Sequence, residues 1–263
     1  MPYAATLYHP DLFAQLPALP EAFKQRLACG QRGANAPVAA LRTVAMGISV
    51  PAEQHLFALD FVHLYPDLNR VRLVLPEGMD GLRADEAERL IESCRPAFAA
   101  QNIELLHAQG RYGLLSLSPM HSAVRSSMPV CFTEPHLAQG MPLDEALPQG
   151  EAGRFWRQLA SELQIELHHA PVNQQRMQEG RLSLNGVWIW SGATPTERIS
   201  LQDQQPIWVN EDEVIEQIEA RMRDKQALRL CSDQGCWLWR PQDIWKFWRR
   251  RHAKRPPFAM ERI

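Results

Sequence analysis

Between residues 58 and 118 the chain alternates short strand-type runs with one long amphipathic segment, and that order limits the folds open to it. FVHLY (61–65) and VRLVLP (71–76) are rich in β-branched and large apolar residues and read as strands. ADEAERLIESCRPAFAA (84–100) reads as a helix. Leu90, Ile91, Cys94, Ala97 and Phe98 share one face, and the acidic first turn suits the helix dipole. IELLHA (103–108) and YGLLSLS (112–118) follow as two strands about a turn. Strand, strand, helix, strand, strand predicts an α+β fold, a mixed or antiparallel sheet with helices packed on it. Neither GxGxxG nor GxxxxGK[ST] occurs, so the two phosphate-cradling loop signatures are absent.

The flanks extend this picture to a single domain over 1–263. Residues 1–57 read as mostly helical: Leu12, Phe13, Leu16, Leu19, Phe23 and Leu27 recur near helical spacing, with breaks at Pro17 and Pro20. The sheet core spans 58–240 and includes helix 151–169, in which Trp156, Leu159, Ala160, Leu163 and Leu167 follow the i, i+3, i+4, i+7 rule and which Pro171 ends. GVWIW (186–190) and PIWVN (206–210) read as strands, 211–224 as a helix, and LRLCSDQGCWLW (228–239) as a hairpin. Residues 241–263 form a basic, Trp-rich helix and tail. A formal net charge of −2 excludes a general nucleic-acid coat protein. No apolar run reaches the ~18 residues of a membrane span, and no signal peptide opens the chain. The five cysteines are odd in number and mostly scattered, which fits a reducing cytoplasm; Cys231 and Cys236 read as reduced packing thiols.

The densest polar cluster is HHAPVNQQRMQEGRLSLNGVWIWSG (168–192). Arg176 offers a bidentate fork, Asn173 and Asn185 offer amides and His168 a proton, groups that suit a phosphate or carboxylate. The same residue types also satisfy backbone carbonyls in irregular loops, and a His at a helix end complements the dipole. Glu162 and His169 lie two helical turns apart near His168, but without HExxH or a second carboxylate they are no metal site by spacing. Asp60 and His63, three apart in a strand, point to opposite faces. The stretch 246–255 holds six Lys/Arg and no acid. There Trp245, Trp248, Arg249, Arg250 and Arg251 could bind an acidic protein or nucleic acid, or simply end a solvated helix.

Taken in order, Asp60-x-Val62-His63-Leu64, Leu147-Pro148-x-Gly150, Trp156 with Glu162 and Gln164, Leu167-His168-x-x-Pro171-Val172-Asn173-x-x-Arg176-x-x-x-Gly180, Asn185-x-x-Trp188-x-Trp190 and Phe247-Trp248-Arg249-Arg250 resemble one family. It is that of the bacterial RpfE-type regulatory proteins, often labelled cofactor-independent phosphoglycerate mutases. The resemblance implies a small phosphorylated or carboxylated metabolite as ligand, with His168, Asn173, Arg176 and Asn185 contacting it and Asp60 and His63 as a second site. The mutases themselves use a Ser or Thr nucleophile and two metal ions held by Asp and His. Asp-Ser-x-Gly and Asp-His-Gly do not occur here, and Ser232-Asp233-Gln234-Gly235 is only superficially similar to the last. Ala170 also stands where the family has a His. The expectation is therefore a cytoplasmic regulatory or anion-binding protein with no cofactor and without the two-metal core. The alternatives are a phosphoglycerate-mutase-like phosphotransferase that uses divalent metal, and a scaffold acting through the basic tail.

Overall fold

In a computed structural model, residues 5–10, 12, 16–20, 31–32, 37–233 (apart from 69, 77, 126–129, 140, 152, 203–204 and 225) and 235–239 are described. The elements run β1 (Ala5–Tyr8), β2 (Gln31–Arg32), α1 (Val38–Ala45), β3 (His55–Asp67), β4 (Arg70–Val74), α2 (Ala84–Ala100), β5 (Ile103–Gln109) and β6 (Tyr112–Leu117). After three single-turn helices between residues 122 and 146 come α3 (Arg154–His169), α4 (Pro171–Gln178), β7 (Gly186–Ala193), α5 (Pro195–Gln202), β8 (Ile207–Trp208), α6 (Val214–Arg223), β9 (Leu228–Ser232) and β10 (Gly235–Trp239). Among the described residues no helix is long and apolar enough to cross a membrane. The fold is α+β, with one antiparallel and one mixed sheet.

The described chain divides into two compact units, residues 48–195 and residues 1–47 with 196–263. In the first, β3 organises an antiparallel sheet. Its first half pairs with β6 on one side and β7 on the other, and its second half pairs with β4. Alternation then sorts the side chains. Phe57, Leu59 and Phe61, with Leu115 and Leu117 of β6 and Val187 and Ile189 of β7, meet Leu90, Cys94 and Phe98 of α2 and Trp156, Leu159, Leu163 and Leu167 of α3. Each such apolar side chain, fully buried, contributes roughly 1.5–3 kcal/mol. Gly186, at the start of β7, packs so closely that a Cβ there would lie 2.8 Å from Leu64.

In the second unit the sheet order is β2-β10-β9-β1-β8, with β1 parallel to both β8 and β9. Leu7, Leu228, Leu230, Val214, Ile218 and Met222 form its core. The sheet core expected from 58–118 together with 186–240 is thus shared between two sheets, and β8, β9 and β10 join the N-terminal strand. Within residues 1–57, expected to be mostly helical, Ala5–Tyr8 form strand β1, and 21–30 lie outside the described residues. Parallel pairing with residues 228–231 overrides local spacing there. Pro171, expected to end a helix, also opens the next one at its first turn, where its missing N–H costs nothing. Cys231 and Cys236, expected as reduced thiols, are direct cross-strand partners with Cα atoms 4.2 Å apart and are joined as a disulfide. The antiparallel register brings both onto the same face. The basic tail, with Trp245, Trp248, Arg249, Arg250 and Arg251, lies outside the described residues.

Candidate functional site

The polar block 168–185 folds into a bracket in which side chains replace missing backbone partners. Asn173, 1% exposed on α4, donates from Nδ2 to the Leu167 carbonyl at 2.8 Å and the Leu184 carbonyl at 3.0 Å, while its Oδ1 accepts from Leu184 N at 2.7 Å. It ties the end of α3 to the loop that enters β7. Arg176 is fully buried. Its Nε donates to the Leu182 carbonyl at 2.8 Å, Nη2 to the Asp80 carbonyl at 2.6 Å and Nη1 to Glu86 Oε2 at 2.6 Å. The fork expected to grip an anion is therefore engaged by this chain's own carboxylate and carbonyls.

Glu86 is shared. Arg181 donates to both of its oxygens, and to the Met79 and Gly81 carbonyls at 3.0 and 2.6 Å. The backbone N–H of Arg83 reaches Glu86 Oε2 at 3.0 Å as part of a capping box at the start of α2. Burial alone would push the Glu86 carboxyl up, but the bonds from Arg181 and Arg83 and the charge of Arg176 outweigh it and hold the acid below its ordinary range. The result is a buried Arg–Glu–Arg clamp across residues 79–81, α2 and 181–182.

Asn185 mimics a strand partner: Oδ1 accepts from Leu64 N at 2.7 Å and Nδ2 donates to the Leu64 carbonyl at 3.1 Å. Next to it on β3, half-buried His63 holds the Ser183 carbonyl with Nδ1 at 2.7 Å. A carbonyl only accepts, so Nδ1 carries the proton and Nε2 is left to accept one or, in the imidazolium, to donate. Tyr65 stacks at a tilt 6.3 Å away. Asp60, 1% exposed, accepts from Trp190 Nε1 at 2.8 Å. The structure therefore groups His63 with Asn185 and Ser183, and gives Asp60 to the tryptophan strand.

His168 and His169 are both exposed, with ring centroids 5.2 Å apart, and exposed Glu162 accepts weakly from Gln101 at 3.5 Å. Among the described residues no group of three or more His, Cys, Asp or Glu is placed to hold a metal ion. The turn compared above with an Asp-His-Gly motif is closed by other groups. Asp233, 4% exposed, accepts from Tyr8 Oη at 2.5 Å and from Arg42 Nη2 at 2.7 Å. Two divalent ions need several convergent oxygen and imidazole ligands, and the described residues do not fit them.

Four residues of these clusters gave no functional signal in the sequence. Glu86 reads as an ordinary first-turn acid and Arg181 as a loop base. Tyr8 and Arg42 stand 225 and 191 positions from Asp233, beyond any spacing rule.

No family model matches the chain. It is 27% identical over 154 residues to a 2,3-bisphosphoglycerate-independent phosphoglycerate mutase of Methanosarcina mazei, covering 58% of this chain and 36% of that protein. A mutase of the same description from Methanosarcina barkeri is 38% identical over 64 residues, 24% of this chain and 16% of its own. A probable mutase of Geobacter sulfurreducens is 24% identical over 151 residues, 57% and 36% of the two chains. A solved cofactor-independent phosphoglycerate mutase from Thermoplasma acidophilum aligns with a TM-score of 0.40 at 13% identity, over 90% of this chain and 88% of that one. In the longer matches the chain spans about a third of the length of the curated relatives, 36%. Over more than half of its own length, 58% in the M. mazei match, this chain is similar in sequence to the cofactor-independent phosphoglycerate mutases.

Proposed function

We propose that the chain is a cytoplasmic, phosphoglycerate-mutase-like protein of the RpfE regulatory type. It binds a small phosphorylated or carboxylated metabolite and does not turn it over by two-metal chemistry. The mutase likeness suggests the ligand class. The observation that carries the reading is the His63 ring, whose Nδ1 is held by the Ser183 carbonyl and whose Nε2 has no bonding partner among the described residues. Nε2 of His63 is the ring atom left to face the anion, and it donates when the ring carries both protons. Asn185 fixes the strand beneath it, and Asn173 and Arg176 hold the loop in place without touching the ligand.

The test is a thermal-shift and calorimetric titration of the full chain with 3-phosphoglycerate, 2-phosphoglycerate and inorganic phosphate. Binding should be lost in His63→Ala. Undiminished binding by His63→Ala would refute the site. Conversion of 3-phosphoglycerate to 2-phosphoglycerate with Mn2+ present would refute the non-catalytic reading in favour of a metal-dependent phosphotransferase.

A further inference from the structure

The unit formed by residues 1–47 and 196–263 has a charged cluster that the proposed function does not use. Strands β1 and β9 are parallel, and parallel strands gather ligand-binding groups at their carboxyl ends. Tyr8 ends β1, and Asp233 follows the last residue of β9. Arg42 reaches them from the last turn of α1. All three are buried, at 0%, 4% and 0% exposed for Tyr8, Asp233 and Arg42.

The three side chains bond to one another. Asp233 Oδ1 accepts from the Tyr8 hydroxyl, Oδ2 accepts from Arg42 Nη2 at 2.7 Å, and Arg42 Nε donates to Tyr8 Oη at 3.3 Å. Asp233 N in turn donates to the Pro10 carbonyl at 3.1 Å, anchoring the turn beside β1. Burial, and then the Asp233 charge, push the Tyr8 hydroxyl well above its ordinary range, so it stays protonated and donates. A buried carboxylate requires a compensating cation. A divalent ion would need carboxylate lone pairs at roughly 2.0–2.6 Å. Here the guanidinium and the hydroxyl already take one on each oxygen.

We propose that Arg42 is a built-in cation. Its guanidinium stands at the Asp233 carboxylate, at the carboxyl ends of β1 and β9, in the role a divalent ion would otherwise fill, so this unit folds and persists without metal. The consequence for mutase chemistry rests on the mutase-like reading, whereas the role of Arg42 does not. With Arg42 present the Asp233 charge is already neutralised and each oxygen already accepts one bond, so a metal would have to compete with the guanidinium.

The test is thermal unfolding of the full chain. The wild type should show the same melting temperature with Mn2+, with Zn2+ and with EDTA. Arg42→Ala should fall by about 10 °C and be partly restored by guanidinium ion well below denaturing concentration, but not by equal urea. Should Arg42→Ala fail to fold, the paired variant Arg42→Met with Asp233→Asn decides, because removing both charges should cost less than Asp233→Asn alone. Wild-type stabilisation by Mn2+ or Zn2+ that Asp233→Asn abolishes would overturn the proposal. So would equal rescue by urea, or a paired variant no better than the single one. Phosphoglycerate binding at His63 is a separate readout, so either proposal can fail alone.

Discussion

At the scale of single residues, the clamp of Glu86 between Arg176 and Arg181 dominates the energetics of the polar block. Replacing one member of a buried ion pair leaves an uncompensated charge and costs roughly 3–5 kcal/mol. Arg176→Ala should therefore lose about that much stability in urea unfolding, and Glu86→Gln, which leaves two buried guanidinium groups facing a neutral amide, should lose a comparable amount. The pH dependence follows from the sign of the shift. The folded-state carboxyl is held below its ordinary value, so its stabilisation is fully present above the unfolded value, near 4.3, and is lost as pH falls through the folded one. Wild-type stability should drop across that acid window, and Glu86→Gln should flatten that part of the profile. Asn173 and Arg176 were legible in the sequence as a polar pair, yet apart from Glu86 and the Leu184 N–H their partners are carbonyls at positions 80, 167, 182 and 184. Carbonyls carry no sequence signature, so spacing could not separate a ligand site from a loop bracket.

At the scale of elements, the β3–β4 hairpin carries local strain. Asp67 pairs with Arg70, leaving two residues in the turn, and Leu68 there adopts φ of 42° with its side chain fully exposed, at 101%. A left-handed conformation costs an L-residue with a bulky side chain roughly 1–2 kcal/mol, and no packing offsets it here. Leu68→Gly should raise the urea midpoint by the equivalent of about 0.5–1 kcal/mol after the glycine entropy cost, with an unchanged slope. Helix α2 was readable to both ends, since periodicity, an acidic first turn and a buried face agree. Strand β1 was not, because its four residues owe their conformation to neighbours more than 190 positions away. The β9–β10 hairpin was readable, but the covalent state of its cysteines was not. Spacing of five left the partners' facing open until the register put Cys231 directly opposite Cys236.

At the scale of the molecule, one contiguous unit, residues 48–195, interrupts another built from both ends of the chain. The contiguous unit has its own sheet, two packed helices and a core of twenty buried residues. Expressed alone, residues 48–195 should unfold in a single cooperative transition with dispersed tryptophan signals; a non-cooperative transition would show that the unit depends on the rest of the chain. Sequence reasoning recovered the α+β class and most elements between 58 and 239. It did not separate the two sheets, because sheet membership is set by pairings between distant strands.

Leu56 of β3 lies opposite Ala193 of β7, so the strands by which the chain enters and leaves this unit meet at one rung of an antiparallel ladder. Tension carried along the polypeptide would arrive at that rung and open the ladder pair by pair, as a zipper opens. Bonds loaded in shear would share the force among many rungs at once. Whatever its resistance to heat or urea, the insertion is mechanically soft along the one direction in which its host chain can pull it.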